Sequence, residues 1–128
     1  MAHILVIDDS MQIRELLREI LELEGHTVVD ASDGKVGIRL HRAAPADLII
    51  TDIVMPEKEG LETVMELRRD FPETKIIAIS GGGHGSASDY LLLARKLGAR
   101  FAFVKPLKTE ELMTAVRGLL DEGINKSS

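Results

Sequence analysis

A chain of 128 residues has room for one hydrophobic core and hardly for two. Hydrophobic residues at 45% and charged residues at 29% are the balance of an ordinary globular protein, and a net charge of −5 argues against nucleic acid as a direct partner. The absence of cysteine excludes a disulfide framework, a thiolate metal site and a cysteine nucleophile.

The chain passes from Met1-Ala2-His3 straight into the apolar run Ile4 to Ile7, with no basic leader and no cleavage pattern, and the cytoplasm is the expected location. The run is strand-length, too short to cross a membrane, and it ends in Asp8-Asp9. A helix follows, with Ile13, Leu16, Leu17, Ile20 and Leu21 on one face and Arg14, Glu15, Arg18, Glu19 and Glu22 elsewhere. Gly25 stops it. Asp9 or Ser10 is its candidate cap, with Gln12 completing an echo of a capping box after Asp9.

The second strand is read at Thr27 to Val29 and the second helix around Val36 to Ala43. A third strand, Leu48 to Ile50, leads to Asp52, and a helix on Leu61, Val64 and Met65 is closed by Pro72. The fourth strand, Lys75 to Ile79, runs into Ser80 and a glycine-rich stretch, Gly81 to Gly85. That stretch lacks both the dinucleotide spacing and a Walker lysine, so it reads as a loop, with His84 an exposed loop residue. In the fourth helix, Ser88 to Leu97, the triplet Leu91-Leu92-Leu93 is expected mainly in the core. Phe101 to Val104 forms the last strand, ending in Lys105-Pro106, and Leu112, Met113, Val116, Leu119 and Leu120 mark the last helix. The chain is expected to fray after Gly123, giving one domain over residues 1–123 and a short tail over 124–128.

Five continuous apolar strands alternating with five helices predict a doubly wound (βα)5 α/β fold. The favoured parallel strand order is the flavodoxin-like 2-1-3-4-5, which binds ligands beyond the carboxyl ends of its strands. That end collects Asp8, Asp9, Asp52, Ser80 and Lys105. Clustered carboxylates resist ionisation without counter-charge; Lys105 supplies one positive charge, and an all-oxygen donor set favours a hard cation such as Mg²⁺. A carboxylate can serve as a phosphoryl nucleophile, with a metal, an ammonium and a hydroxyl around the transferring oxygens.

An acidic pair after strand one, Asp52-Ile53-Val54-Met55-Pro56, a hydroxyl after strand four and Lys-Pro after strand five occur together in order. In these motifs the chain resembles a receiver domain of two-component response regulators, the family of the bacterial chemotaxis response regulator, from Ile4 to about Leu120. The resemblance implies Asp52 as phosphoacceptor, and Asp8, Asp9, Asp52 and the Val54 backbone carbonyl as Mg²⁺ ligands. It also implies Lys105 and Ser80 as phosphoryl-stabilising groups, and a cis Lys105-Pro106 bond. The implied partners are a sensor histidine kinase or histidine phosphotransfer protein and a downstream protein target, with no direct nucleic acid and no membrane.

Two features depart from the family. The switch pair would be Ser80 and an aromatic three residues before the lysine, but that position is Ala102, flanked by Phe101 and Phe103. The expected substitute is ordering of the loop over 81–85 when Ser80 is drawn inward. Val54 and Gly82, two residues after Asp52 and Ser80, offer no side chain to orient water, so slow self-dephosphorylation is expected. The resemblance implies no enzyme beyond self-catalysed gain and loss of the phosphoryl group. The alternatives are a phosphorylation-independent binding module, for which Ala102 leaves room, and more remotely an aspartate phosphatase, which Val54 disfavours. Taken singly, Asp9 or Ser10 reads as a helix cap, Asp52 and Ser80 as loop residues, and Lys105 as a solvated lysine. Their coincidence at one end of the sheet carries the functional reading.

Overall fold

The structure, a computed structural model, describes residues 2–53, 59–81 and 87–126. Strands β1 (His3–Ile7), β2 (Thr27–Ala31), β3 (Leu48–Asp52), β4 (Lys75–Gly81) and β5 (Phe101–Lys105) alternate with helices α1 (Met11–Leu23), α2 (Gly34–Ala43), α3 (Glu59–Asp70), α4 (Ala87–Leu97) and α5 (Thr109–Lys126). The strands form one parallel sheet in the order β2-β1-β3-β4-β5, as the strand and helix pattern predicts. The winding reverses between β1 and β3, which lie side by side.

Side-chain alternation along the strands builds two cores. Ile4, Val6, Leu48, Ile50, Ile77 and Ile79 pack with Leu17 and Leu21 of α1 and Leu112, Val116 and Leu119 of α5. Leu5, Ile7, Ile49, Ile76 and Ala78 pack with Val64 and Leu67 of α3 and Ala94 of α4 on the other face, with Val36 and Leu40 of α2 at its margin. Both faces of the sheet are therefore dry, which is why the strands read as continuous apolar runs rather than alternating ones. Each fully buried isoleucine or leucine contributes about 1.5–3 kcal/mol relative to exposure.

Close approach to the strand ends depends on two glycines. A Cβ on Gly37 of α2 would overlap the Ile7 side chain, and one on Gly60 of α3 would collide with the backbone of Ile53. Gly60 thus lets α3 start directly against the residue that follows Asp52.

Three details differ from the sequence reading. Leu92 and Leu93 are exposed, at 58% and 42%, because Ala94 occupies the buried line of α4. Strand β2 continues through Asp30, whose carboxylate is held by Arg14 and Arg18 rather than left against the sheet. Helix α5 runs past Gly123 to Lys126; each added residue of an existing helix adds a hydrogen bond, and Glu122 is pinned by a paired contact with Arg100 at 3.0 and 2.6 Å. No helix among the described residues is long and apolar enough to cross a membrane.

Candidate functional site

Parallel pairing brings the chemistry together. Ile7 at the end of β1 pairs with Thr51, and Asp52 pairs with Ile79, so Asp8 and Asp52 leave adjacent strands where the winding reverses. Ser80 and Gly81 pair with Val104 and Lys105, which brings β5 to the same end. Asp8, Asp52 and Lys105 continue the alternation that sends Val6, Ile50 and Phe103 toward α1 and α5.

The geometry is close. Lys105 Nζ lies 2.9 Å from Asp8 Oδ2 and donates to Asp52 Oδ2 at 3.1 Å. Its contact with Asp8 Oδ2 is an ion pair, not an aligned hydrogen bond. Asp8 is fully buried and Asp52 is 2% exposed, whereas Asp9 stands open to solvent. One oxygen from each of Asp8, Asp9 and Asp52 lies within 4.8 Å of the others. Burial is the largest influence on the Lys105 ammonium and disfavours its charge. Close contact with the Asp8 carboxylate, the Asp52 and Asp8 charges and the hydrogen bond donated to Asp52 outweigh it and hold the group above its ordinary pKa. The Lys105-Pro106 peptide bond is cis.

Ser10, not Asp9, caps α1, its hydroxyl accepting from the Ile13 N–H at 3.3 Å. Asp9 is thereby left with no capping duty. The Ser10 N–H donates to Asp8 Oδ1 at 2.8 Å, so the turn that starts the helix also fixes the Asp8 carboxylate. Ser80 is fully buried, and its Oγ has no hydrogen-bond partner among the described residues. An orphaned buried hydroxyl costs free energy, and it lies one residue beyond Ile79, the register partner of Asp52.

Three carboxylate oxygens at this spacing, all hard donors, with a lone ammonium between two of them, fit a small divalent cation such as Mg²⁺. Ala102 is half-buried in β5, opposite Ala78, and packs toward α2, α3 and α4, the face that Ser80 shares by alternation. Phe101 and Phe103 stack on one another at 6.2 Å on the opposite face, so neither ring takes the place of a side chain at position 102. Val54, Met55, Pro56, Gly82 and the loop to Gly85, His84 included, lie outside the described residues.

Sequence reasoning missed two contributors. Gly60 carried no signal because its role is a steric contact with Ile53. Arg14 looked like any residue of a polar helix face. A cleft of about 840 Å³ opens at the other end of the sheet between residues such as His26, Phe71 and Leu120, well away from the carboxylates. Beside it, His41 is buried rather than ligating: Nδ1 accepts from the Ala46 N–H and Nε2 meets Thr74 Oγ1, both at 3.0 Å.

The comparisons with known proteins agree with this geometry. The family model of the response regulator receiver domain matches residues 4–117. The transcriptional regulatory protein CpxR of Klebsiella pneumoniae is 35% identical over 120 residues, covering 94% of this chain and 50% of that protein. The chain spans about half the length of the curated relatives it matches. A response regulator receiver domain protein from Clostridium thermocellum superposes with a TM-score of 0.85 at 31% identity, covering 96% of this chain and 97% of that one. A CheY-like receiver domain protein from Methanospirillum hungatei gives 0.86 at 26% identity, covering 97% of both chains. With the strand order, the acidic triad and the lysine in place, the chain belongs to the family of response regulator receiver domains.

Proposed function

We propose that this receiver domain is a switch that accepts a phosphoryl group on Asp52, with Mg²⁺ carried by Asp8, Asp9 and Asp52, and signals through protein contacts. The observation that carries the reading is the buried Asp52 carboxylate, bonded to Lys105 and within ligand distance of two further aspartates. An Asp52 oxygen attacks phosphorus. The new O–P bond forms as the donor's bond to phosphorus breaks, and the donor leaves with the electron pair. The cation neutralises phosphoryl oxygens when bound. Lys105 pairs with the same developing charge, and the Ser80 hydroxyl, without a partner among the described residues, gains one by donating to a phosphoryl oxygen. Hydrolysis of the aspartyl phosphate resets the carboxylate, so the chain gains and loses its own phosphoryl group rather than turning over an external substrate.

The donor is a sensor histidine kinase or a histidine phosphotransfer protein, as for the regulators this family comprises, and the output is a protein partner. CpxR is named as a transcriptional regulatory protein; contact with nucleic acid is not assigned to the residues described here. A cytoplasmic setting follows from the same reading. Ala102 supports a second reading, a binding module independent of phosphorylation, because the ring expected on the Ser80 face is missing. Borohydride reduction of the phosphorylated protein, followed by peptide mass mapping, tests the assignment. Conversion of residue 52 to homoserine is expected, and modification elsewhere would overturn it.

A further inference from the structure

Arg14 belongs to the polar side of α1 by helical pattern, yet its side chain is only 17% exposed. Its guanidinium is divided between two elements. Nη1 donates to the Asp8 carbonyl at 2.8 Å, and Nε donates to Asp30 Oδ2 at 3.3 Å. Asp30 lies on β2 in register with Val6, and its other oxygen accepts from Arg18 Nη2 at 3.2 Å. Arg18 is itself tied to the Val28 carbonyl at 2.7 Å. Two arginines one helical turn apart thus anchor on one strand carboxylate, and Arg14 extends from that anchor to the turn carrying Asp8 and Asp9.

That turn is held from both sides. The Asp8 N–H donates to the Ala31 carbonyl at 3.1 Å, and the Asp8 carbonyl accepts from Arg14. The Asp8 carbonyl belongs to the peptide plane that leads into Asp9, so its hydrogen bond fixes the direction in which Asp9 leaves the strand. Asp9 is exposed and depends on its backbone for its place in the acidic triad.

We propose that Arg14 is a positioning residue for divalent-cation binding, holding the Asp8-Asp9 peptide through a fork anchored on Asp30. This rests on the reading of Asp8, Asp9 and Asp52 as the metal-carrying groups. The sign of the effect separates position from charge. A guanidinium near the cluster repels a cation, so charge alone makes removal of Arg14 tighten binding; loss of position weakens it. A lysine retains the charge but, as a single point donor, cannot span both acceptors as the planar fork does.

The test is calorimetric titration of Mg²⁺ into the wild-type chain, Arg14→Ala and Arg14→Lys. Both variants are expected to bind about 10-fold more weakly, the scale of loss for outer groups that orient metal ligands. Unchanged or tighter binding by Arg14→Ala overturns the proposal, and so does full recovery in Arg14→Lys. If Arg14→Ala does not fold, Arg14→Gln removes the fork and its charge while keeping a long polar side chain, so that charge alone again predicts tighter binding. Weaker binding is then expected, and wild-type or tighter affinity overturns the proposal. If the wild type itself binds no Mg²⁺, the metal reading fails, and positioning is judged in the metal-free protein. There, amide exchange at Ser10, whose N–H is bonded to Asp8, is expected to be faster in Arg14→Lys, and an unchanged rate overturns the proposal.

Discussion

The ammonium of Lys105 stands 3.1 Å from Asp52 Oδ2, and the same nitrogen reaches Asp8 at 2.9 Å, so one cation from β5 neutralises carboxylates from two other strands. Lys105→Met leaves both carboxylates buried without that charge. Breaking a buried pair this way costs about 3 kcal/mol, so a clear fall in melting temperature is expected in metal-free buffer. Mg²⁺ at about 100 times its dissociation constant adds about 2.7 kcal/mol to any protein that binds it only when folded. The stabilisation is expected to be larger in Lys105→Met than in the wild type, because the variant has more charge to neutralise. Thermal melts with and without Mg²⁺ check both halves.

Ser80→Ala removes a buried hydroxyl with no partner among the described residues. Burial of such a group costs about 1–3 kcal/mol, so the unphosphorylated variant is expected to be as stable as the wild type or more so. Phosphorylation by a small-molecule donor is expected to slow in the same variant, since the hydroxyl no longer reaches the phosphoryl oxygens. Urea melts and the rate of adduct formation report the two effects separately.

Three glycines in helices are expected to respond differently to alanine. Gly60→Ala drives a Cβ into the Ile53 backbone, and overpacking of that kind costs about 1–3 kcal/mol despite the better helix propensity. Gly37→Ala meets the end of the Ile7 side chain, which can turn away more readily than a backbone, so a smaller loss is expected. Gly118, exposed on α5 with open space beside it, is expected to gain about 0.5–1 kcal/mol as alanine. Chemical denaturation of the three variants gives the order directly.

Much of this fold is legible in the sequence because its physics is local. A sheet covered on both faces needs unbroken apolar strands, and Ile4 to Ile7 or Lys75 to Ile79 can be read as nothing else. Residues that end such strands must gather at one end of a parallel sheet, so Asp8, Asp52, Ser80 and Lys105 could be grouped before any distance was known. Contacts between distant segments are not legible in this way. Asp30 looks like a strand terminator, yet Arg14 and Arg18 reach across from α1 to hold it within β2. Leu92 and Leu93 look like core by composition, and only the packing of α4 shows that Ala94 takes the buried line. The choice of Ser10 over Asp9 as the α1 cap turns on backbone angles at one turn, which composition does not specify.

His41 makes the fold sensitive to acid at the end of the sheet away from the carboxylates. Burial, then the nearby charges of His3 and Arg42, lowers its pKa from the ordinary 6.5. Its Nδ1 accepts from the Ala46 N–H, so protonation there would set two donors against each other. A histidine with a lowered pKa when folded binds protons more readily when unfolded. Its contribution is therefore complete above about pH 6.5 and is lost as the pH falls below that value. His41→Gln is expected to be less stable at neutral pH but to lose less between pH 7.5 and 5.5 than the wild type. Parallel pH dependences of the two proteins would contradict this.

The central claim is that Asp52 takes a phosphoryl group in a metal-dependent reaction. Intact-mass measurement after incubation with Mg²⁺ and acetyl phosphate tests it most directly, beside Asp52→Ala and a chelated sample. A single phosphoryl adduct on the wild type, absent from both controls, is the expected result. An adduct that persists in Asp52→Ala, or no adduct on the wild type even with a cognate kinase as donor, would contradict the claim and favour a receiver fold that works by binding alone.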